Sequence, residues 1–370
     1  MNGALLEVPQ VSPGAKPVAR PSPSPAKGNG KRRGALGLLA GGLVLVMLLA
    51  LGQGAVSITP AQVCAILVSK MGVSFPVDFQ AQQDVVLWSI RLPRVLAGVL
   101  VGAGLAMAGA AMQGLFRNPL ADPALVGISS GAALGAVLVL VLGVHVSHVL
   151  GSSVLLPLAA FAGALIIAGA MNRLAYRDGR TVVSTLLLAG IAFNALCSAG
   201  VGLLTFLSTD AQLRSIVFWT LGSLGGATWA NLAWLAPLVL LPAWAIHSQR
   251  RILNAFLLGE SEAGHLGFHV ERGKRVILLG VTLVVGSTVS FAGIIGFVGL
   301  VVPHLLRLWI GPDHRYLLVG AGLLGALVLV LADTIARLVV IPAELPIGIV
   351  TALGGAPFFL WLLHREGNRL

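Results

Sequence analysis

Residues 95–116 read VLAGVLVGAGLAMAGAAMQGLF, and this stretch decides the fold. It carries no charge and runs for the ~20 residues that an α-helix needs to cross the hydrocarbon core of a bilayer. Gly98 and Gly102 form a G-x-x-x-G pair, and Gly104, Gly109 and Gly114 continue small residues along the same span. Lipid gives apolar helices no hydrophobic reason to associate, so close approach of backbones at small residues must hold them together. A helix facing only lipid would not need this spacing. The stretch predicts a span inside a tightly packed bundle.

The rest of the chain is of the same kind. Of 370 residues 57% are hydrophobic and only 10% charged, against ~25% charged in a soluble domain. A water-soluble core of this size could not hide so much apolar sequence. That excludes a soluble enzyme, a disordered scaffold and a disulfide-stapled secreted domain. The net charge of +11 comes from 24 basic residues placed in short clusters between apolar runs, whereas a nucleic-acid binder needs one continuous basic face. Cys64 and Cys197 are too few for a disulfide framework or a zinc site.

Uncharged segments recur at residues 35–51, 123–172, 181–208, 231–247, 276–306, 316–332 and 345–364. The segment at 123–172 is long enough for two spans with a turn near 143–153. Residues 276–306 are broken by Gly293 and Gly296 and make either one long span or two short ones. The reading is an all-α polytopic membrane protein of about ten transmembrane helices. Thr59-Pro60-Ala61-Gln62 and Thr209-Asp210-Ala211-Gln212 are capping boxes that open two short helices, the first stopping by Gly72 and the second running toward Gly222. Residues 1–33 hold Pro9, Pro13, Pro17, Pro21, Pro23 and Pro25 and end on Lys31-Arg32-Arg33. They are expected to be a disordered cytoplasmic tail before a membrane domain at 34–370. The apolar run at 35–51 is too long for a signal-peptide core, so it is expected to be a retained helix.

Basic residues orient the bundle. With the tail inside and two passes in 276–306, only Lys70, Arg91, Arg94, Arg214 and Arg337 of the 24 fall outside. One pass leaves the bias in place, so charge fixes the orientation but not the parity.

Few groups could carry chemistry. Asp333 and Glu344 lie near helix ends rather than at a midplane, and Asp333 can pair with Arg337 four residues on; an ion-coupled carrier is therefore disfavoured. Gly127-Ile128-Ser129-Ser130-Gly131 matches G-x-S-x-G and would make Ser129 a nucleophile, with His304 as partner. A nucleophile elbow needs a preceding strand, and this region has a helical pattern. His265 with His269, and His145 with His148, lack a third metal ligand. Gly30-Lys31 and Gly273-Lys274 are not P-loops, because neither lysine is followed by Ser or Thr. Any ATP must be bound by another chain. Residues 250–275 form the longest internal polar stretch. Within it Gly259, Glu260, Glu262, Ala263, Leu266 and Gly267 read as a short helix between glycines, with its acids at the favoured N-terminal end.

Several collinear motifs then share one resemblance. LWSIRLPR at 87–94, MQGLFRNPLADP at 112–123 and GISSG at 127–131 resemble the permease subunits of iron-siderophore, haem and cobalamin ABC importers of type II. So do FWTLGSL at 218–224, GFVGLVVPH at 296–304 and ELPIGIVT at 344–351 with GAP at 355–357. The resemblance covers about residues 35–365. It implies a homodimer of ten-helix subunits in the bacterial inner membrane with both termini cytoplasmic, which makes two passes of 276–306. It also implies two separate ATPase subunits, which use ATP and Mg, and one periplasmic binding protein; this chain itself binds no cofactor. Arg91 and Arg94 of L-R-L-P-R, and Arg337 closing L-A-D-T-I-A-R, are the residues that the resemblance assigns to binding-protein docking. The Gly259–Gly267 segment is similar to the family's coupling element. The implied pathway runs along the fifth and tenth helices, where Ser184 and Thr185 are gate candidates and Asn194 is the one amide. The cargo is expected to be a metal chelate, with haem or another iron chelate favoured.

Overall fold

The computed structural model describes residues 25–73, 75–123, 127–143, 152–340 and 343–367. The span at the centre of the sequence reading is also the centre of the structure. Helix α3 (Ala81–Phe116) is 36 residues long, and most of its second half is buried. Its first turn is ordinary α-helix, and a departure from that geometry follows at once. A π turn covers Val86–Arg91, where Pro93 has no N–H to give to the preceding turn.

Around α3 pack α8 (Trp229–Ser248), α11 (Val270–Ala292), α12 (Val298–Ile310) and α13 (His314–Leu338). The predicted glycines set these crossings. A Cβ at Gly102 would collide with the Gly325 carbonyl of α13, and one at Gly109 with the Gly299 carbonyl of α12. Gly98 faces Val330 of α13 and Leu224.

Helix α1 (Pro25–Gly52) lies against α13. It starts well before the expected boundary at residue 33, so the basic run is helical rather than a disordered tail. Proline is tolerated at a helix start, and long basic side chains reach polar partners from a helix. Arg32 meets Asp313 at 3.5 Å and lies over the Tyr316 ring. Residues 1–24 lie outside the described residues.

Both capping boxes form. In α2 (Pro60–Ser69) the Gln62 N–H donates to Thr59 Oγ1 at 3.3 Å, and the Thr59 N–H donates to Gln62 Oε1 at 3.0 Å. The same exchange opens α7 (Asp210–Leu221), with Gln212 and Thr209 at 3.4 and 2.9 Å. Helices α4 (Ile128–Leu142) and α5 (Ser152–Ala175) are the two spans expected at 123–172. Most of their turn, with His145 and His148, lies outside the described residues. Between α5 and α6 (Val183–Phe206) stands a small hairpin, β1 (Tyr176–Arg177) with β2 (Arg180–Thr181), in antiparallel register Tyr176 to Thr181. Its Asp178-Gly179 turn has positive φ at both positions, as a tight hairpin turn requires.

The ambiguous segment is two helices. Helix α11 stops at Ala292, Gly293 takes φ +71°, and α12 begins only after Phe297 at φ +67°. Short helices α9 (Arg250–Phe256) and α10 (Glu260–His265) join α8 to α11, and α14 (Ile347–Gly367) closes the chain. Among the described residues seven helices are long and apolar enough to cross a membrane; the shorter apolar helices α4, α12 and α14 bring the set to about ten.

Candidate functional site

Polar side chains gather at opposite ends of α13. At its C-terminal end, next to the start of the buried part of α3, five charged residues meet. Arg94 Nε donates to both oxygens of Asp333 at 2.9 and 3.1 Å, and its Nη1 donates to both oxygens of Glu344 at 2.9 Å. Arg337 Nε donates to Asp333 Oδ2 at 3.1 Å, the pair expected from the four-residue spacing. Arg337 Nη2 also reaches the Ala50 carbonyl at 3.2 Å. Arg91 Nη1 donates to the carbonyls of Leu51 and Gly52 at 2.7 and 3.0 Å, and Nη2 to that of Val56. The last carbonyls of a helix have no partner within it and carry the negative end of its dipole. Arg91 and Arg337 supply that partner at the end of α1.

The structure therefore brings Arg91, Arg94 and Arg337 together at one end, but not as free cations on a rim. All three bond within the chain, and Arg91, Arg94 and Asp333 are buried. For Arg94 and Arg337 the physical reason is Asp333 and Glu344, since low-dielectric surroundings make an arginine take any carboxylate within reach; Arg91 takes the carbonyls at the end of α1 instead. Glu344 is the open member, with its side chain 48% exposed against 3% for Asp333. Neither carboxylate of this cluster is left unpaired within the bundle.

At the other end, α9 and α10 form a braced joint. Gly259 at φ +124° and Gly267 at φ +84° bracket α10. The buried Lys274 Nζ of α11 binds Glu260 Oε2, Glu271 Oε1 at 3.2 Å and the Thr181 carbonyl at 3.1 Å. Glu271 in turn accepts the Thr181 N–H at 2.8 Å. Asn254 of α9 donates to Asp313 at 2.8 Å and accepts the His314 N–H at 2.8 Å. The joint is thus fastened to both α11 and α13. Of the six residues expected to face a partner, Ala263 is buried and Glu260 is tied to Lys274, so these two hold α10 in place. Glu262, Leu266 and Gly267 are exposed. Lys274, Asn254 and Asp313 were not foreseen. Asp313 was readable as an N-cap, since its side chain accepts the Arg315 N–H.

The gate candidates separate. Ser184 is exposed on α6, on one face with Leu188, Ile191 and Ala195, while Thr185 is half-buried. Asn194 turns away from that face, and its Oδ1 accepts from Ser130 Oγ of α4. Three chain segments close together beside the Arg94–Glu344 cluster, at the C-terminal end of α13. The Ile347 N–H donates to the Gly222 carbonyl at 3.0 Å, and the Ser223 N–H donates to that of Ala292 at 2.8 Å. A Cβ at Gly348 would strike the Leu221 carbonyl. The motifs at 218–224 and 344–351 are therefore neighbours in space, with the chain at 292–295 beside both. Ser129 lies in the first turn of α4 after Gly127, and among the described residues the only strands are β1 and β2. Among the described residues no strand leads into α4, as the elbow of a serine nucleophile would need.

Residues 42–365 match the FecCD transport family. The chain is 44% identical over 335 residues to the hemin transport system permease protein HmuU of Yersinia pestis, covering 88% of this chain and 94% of that one. It is 46% identical over 286 residues to the cobalamin import system permease protein BtuC of Halobacterium salinarum, covering 77% and 75% of the two chains. Among solved structures, the inward-facing conformation of a putative metal-chelate type ABC transporter matches with a TM-score of 0.78 at 33% identity. That match covers 90% of this chain and 99% of that one.

Proposed function

The chain belongs to the FecCD transport family, and from that premise we propose that it passes haem, as the first choice among metal chelates, from a periplasmic binding protein to the cytoplasm. As a member it is a multi-pass membrane permease subunit of an ABC importer and not itself an enzyme; ATP hydrolysis belongs to a separate subunit. The observation that supports haem is the alignment to the hemin permease, which runs over 94% of that protein. The cobalamin permeases match at the same level of identity over shorter stretches, which makes cobalamin the second reading.

In this proposal a homodimer is flanked by two ATPases that use ATP and Mg. On α14, Leu353, Pro357 and Leu360 are exposed on one face, as are Leu188 and Ile191 on α6. Two such apolar faces suit a second copy and the passage between the copies. The braced α9–α10 joint offers Glu262 and Leu266 to the ATPase. A rigid joint fastened to α11 and α13 passes a push on as a rigid-body motion. At the far end, docking works by exchange: a carboxylate on the binding protein takes the place of Glu344 on Arg94. Alternating access then opens the passage toward the cytoplasm, the side that holds both termini.

Competition tests the cargo. The permease, its ATPase and the binding protein encoded with them are reconstituted in liposomes. Uptake of labelled haem is then challenged with unlabelled haem, cobalamin and a ferric siderophore. Suppression by unlabelled haem alone supports the assignment; suppression by cobalamin transfers it to the second reading.

A further inference from the structure

The end of the α8–α11 hairpin holds a cavity of about 270 Å³ that none of these roles uses. Its walls come from the last turn of α8 with the start of α9, and from the residues leading into α11. Arg251, Arg272 and His269 line it, together with Ser248, Gln249 and Phe268, and no Asp or Glu does. Glu271, the nearest acid in sequence, is turned to Lys274 and Thr181. Arg251 and Arg272 are exposed and have no ion-pair partner among the described residues. Arg337 and Lys70 each have one, and Arg94 and Lys274 each have two.

Two apolar stripes lead away from the cavity along the membrane-spanning helices. Leu238, Leu241, Ala245 and Ser248 share one face of α8, and Arg272, Val276, Leu279 and Leu283 share one face of α11. Leu241 is 68% exposed and Leu279 58%. Behind the stripes the two helices touch at Gly280, where a Cβ would come within 2.8 Å of Ile246. The hairpin thus ends in a cationic cup continuous with an apolar furrow.

We propose that this is a binding site for an anionic phospholipid, with its phosphodiester between Arg251 and Arg272 and its acyl chains along the stripes. Guanidinium groups match phosphate oxygens in a planar, bidentate way, and basic pockets between spans on the positively charged side recognise anionic headgroups. The furrow favours a lipid over a free anion, because the acyl chains need the stripes and a free anion does not. The absence of an acid from the lining disfavours a zwitterionic lipid, whose ammonium would find no counterion.

The test uses the assembled permease–ATPase complex in nanodiscs with fluorescent phosphatidylglycerol or phosphatidylcholine as probe. Phosphatidylglycerol is expected to bind preferentially. The double variant Arg251→Gln, Arg272→Gln should weaken it roughly thirtyfold, the equivalent of about 1 kcal/mol per arginine, and leave phosphatidylcholine unchanged. The charge-keeping variant Arg251→Lys, Arg272→Lys should retain most of the preference and serves where glutamine impairs assembly. Equal binding of the two probes, or phosphatidylglycerol binding unchanged in the glutamine variant, overturns the proposal. So does full displacement by inorganic phosphate, which would make the cup a free-anion site. Binding that appears only after the ATPase is stripped away would make the cup part of a protein contact, and also overturns it.

Discussion

Asp333 is the residue on which the charged cluster depends, and replacing it with asparagine gives a prediction with a worked size. The substitution keeps the shape and removes one negative charge. Asp333 has a side chain 3% exposed, and it holds Arg94 and Arg337, at 8% and 10%. After the change Arg94 keeps Glu344 as its one carboxylate, and Arg337 keeps only backbone carbonyls and the Thr334 hydroxyl. Removing one member of a buried pair costs about 3–5 kcal/mol, because the remaining charge is left uncompensated. Glu344→Gln removes the same charge from a side chain that is 48% exposed; water then solvates what is lost, and about 1 kcal/mol is expected. The assay is heat treatment of the detergent-solubilised permease followed by measurement of the monodisperse fraction. Asp333→Asn should melt far below the wild type, and Glu344→Gln close to it. Adding Arg337→Met to Asp333→Asn should recover part of the loss, since the pair belongs to one network and its effects are not additive. Equal melting of the two single variants would refute the account of the cluster as a buried network anchored on Asp333.

Two further outcomes follow from particular contacts. Gly109→Val should disrupt assembly, because even a Cβ there collides with the Gly299 carbonyl, whereas Gly169→Val should be tolerated, since a Cβ there meets nothing within 4 Å; yield and monodispersity of the purified permease check both. Lys274→Met strips Glu260 of its buried partner and unfastens α10 from α11, so ATP hydrolysis should persist while uptake falls at least tenfold; a proportional loss of both would place the joint outside coupling.

Local features were legible in the sequence and non-local ones were not. The capping boxes at Thr59 and Thr209 need only residues three apart, and the glycine stripe of α3 needs only one helix. The fate of the arginines depended on carboxylates 239 and 250 residues away in the case of Arg94, and no count of outer cations could reveal that. Asn194 was a different matter. The helical period alone sets it off the face shared by Ser184, Leu188 and Ile191, and the structure places it there, against Ser130. The Asp178-Gly179 turn was likewise a readable hairpin signal between two spans. The break between α11 and α12 was half readable. Gly293 marked it, but the left-handed Phe297 that delays α12 carries no signature in its side chain.

The central claim is that this permease imports its cargo only when a separate ATPase works on it. The direct measurement is haem uptake into liposomes that hold the permease with its ATPase, with ATP and Mg supplied on the ATPase side and the binding protein on the other. Uptake should require all of these and stop when the ATPase is made unable to hydrolyse ATP. Uptake that continues with the inactive ATPase and follows an imposed ion gradient would contradict the account.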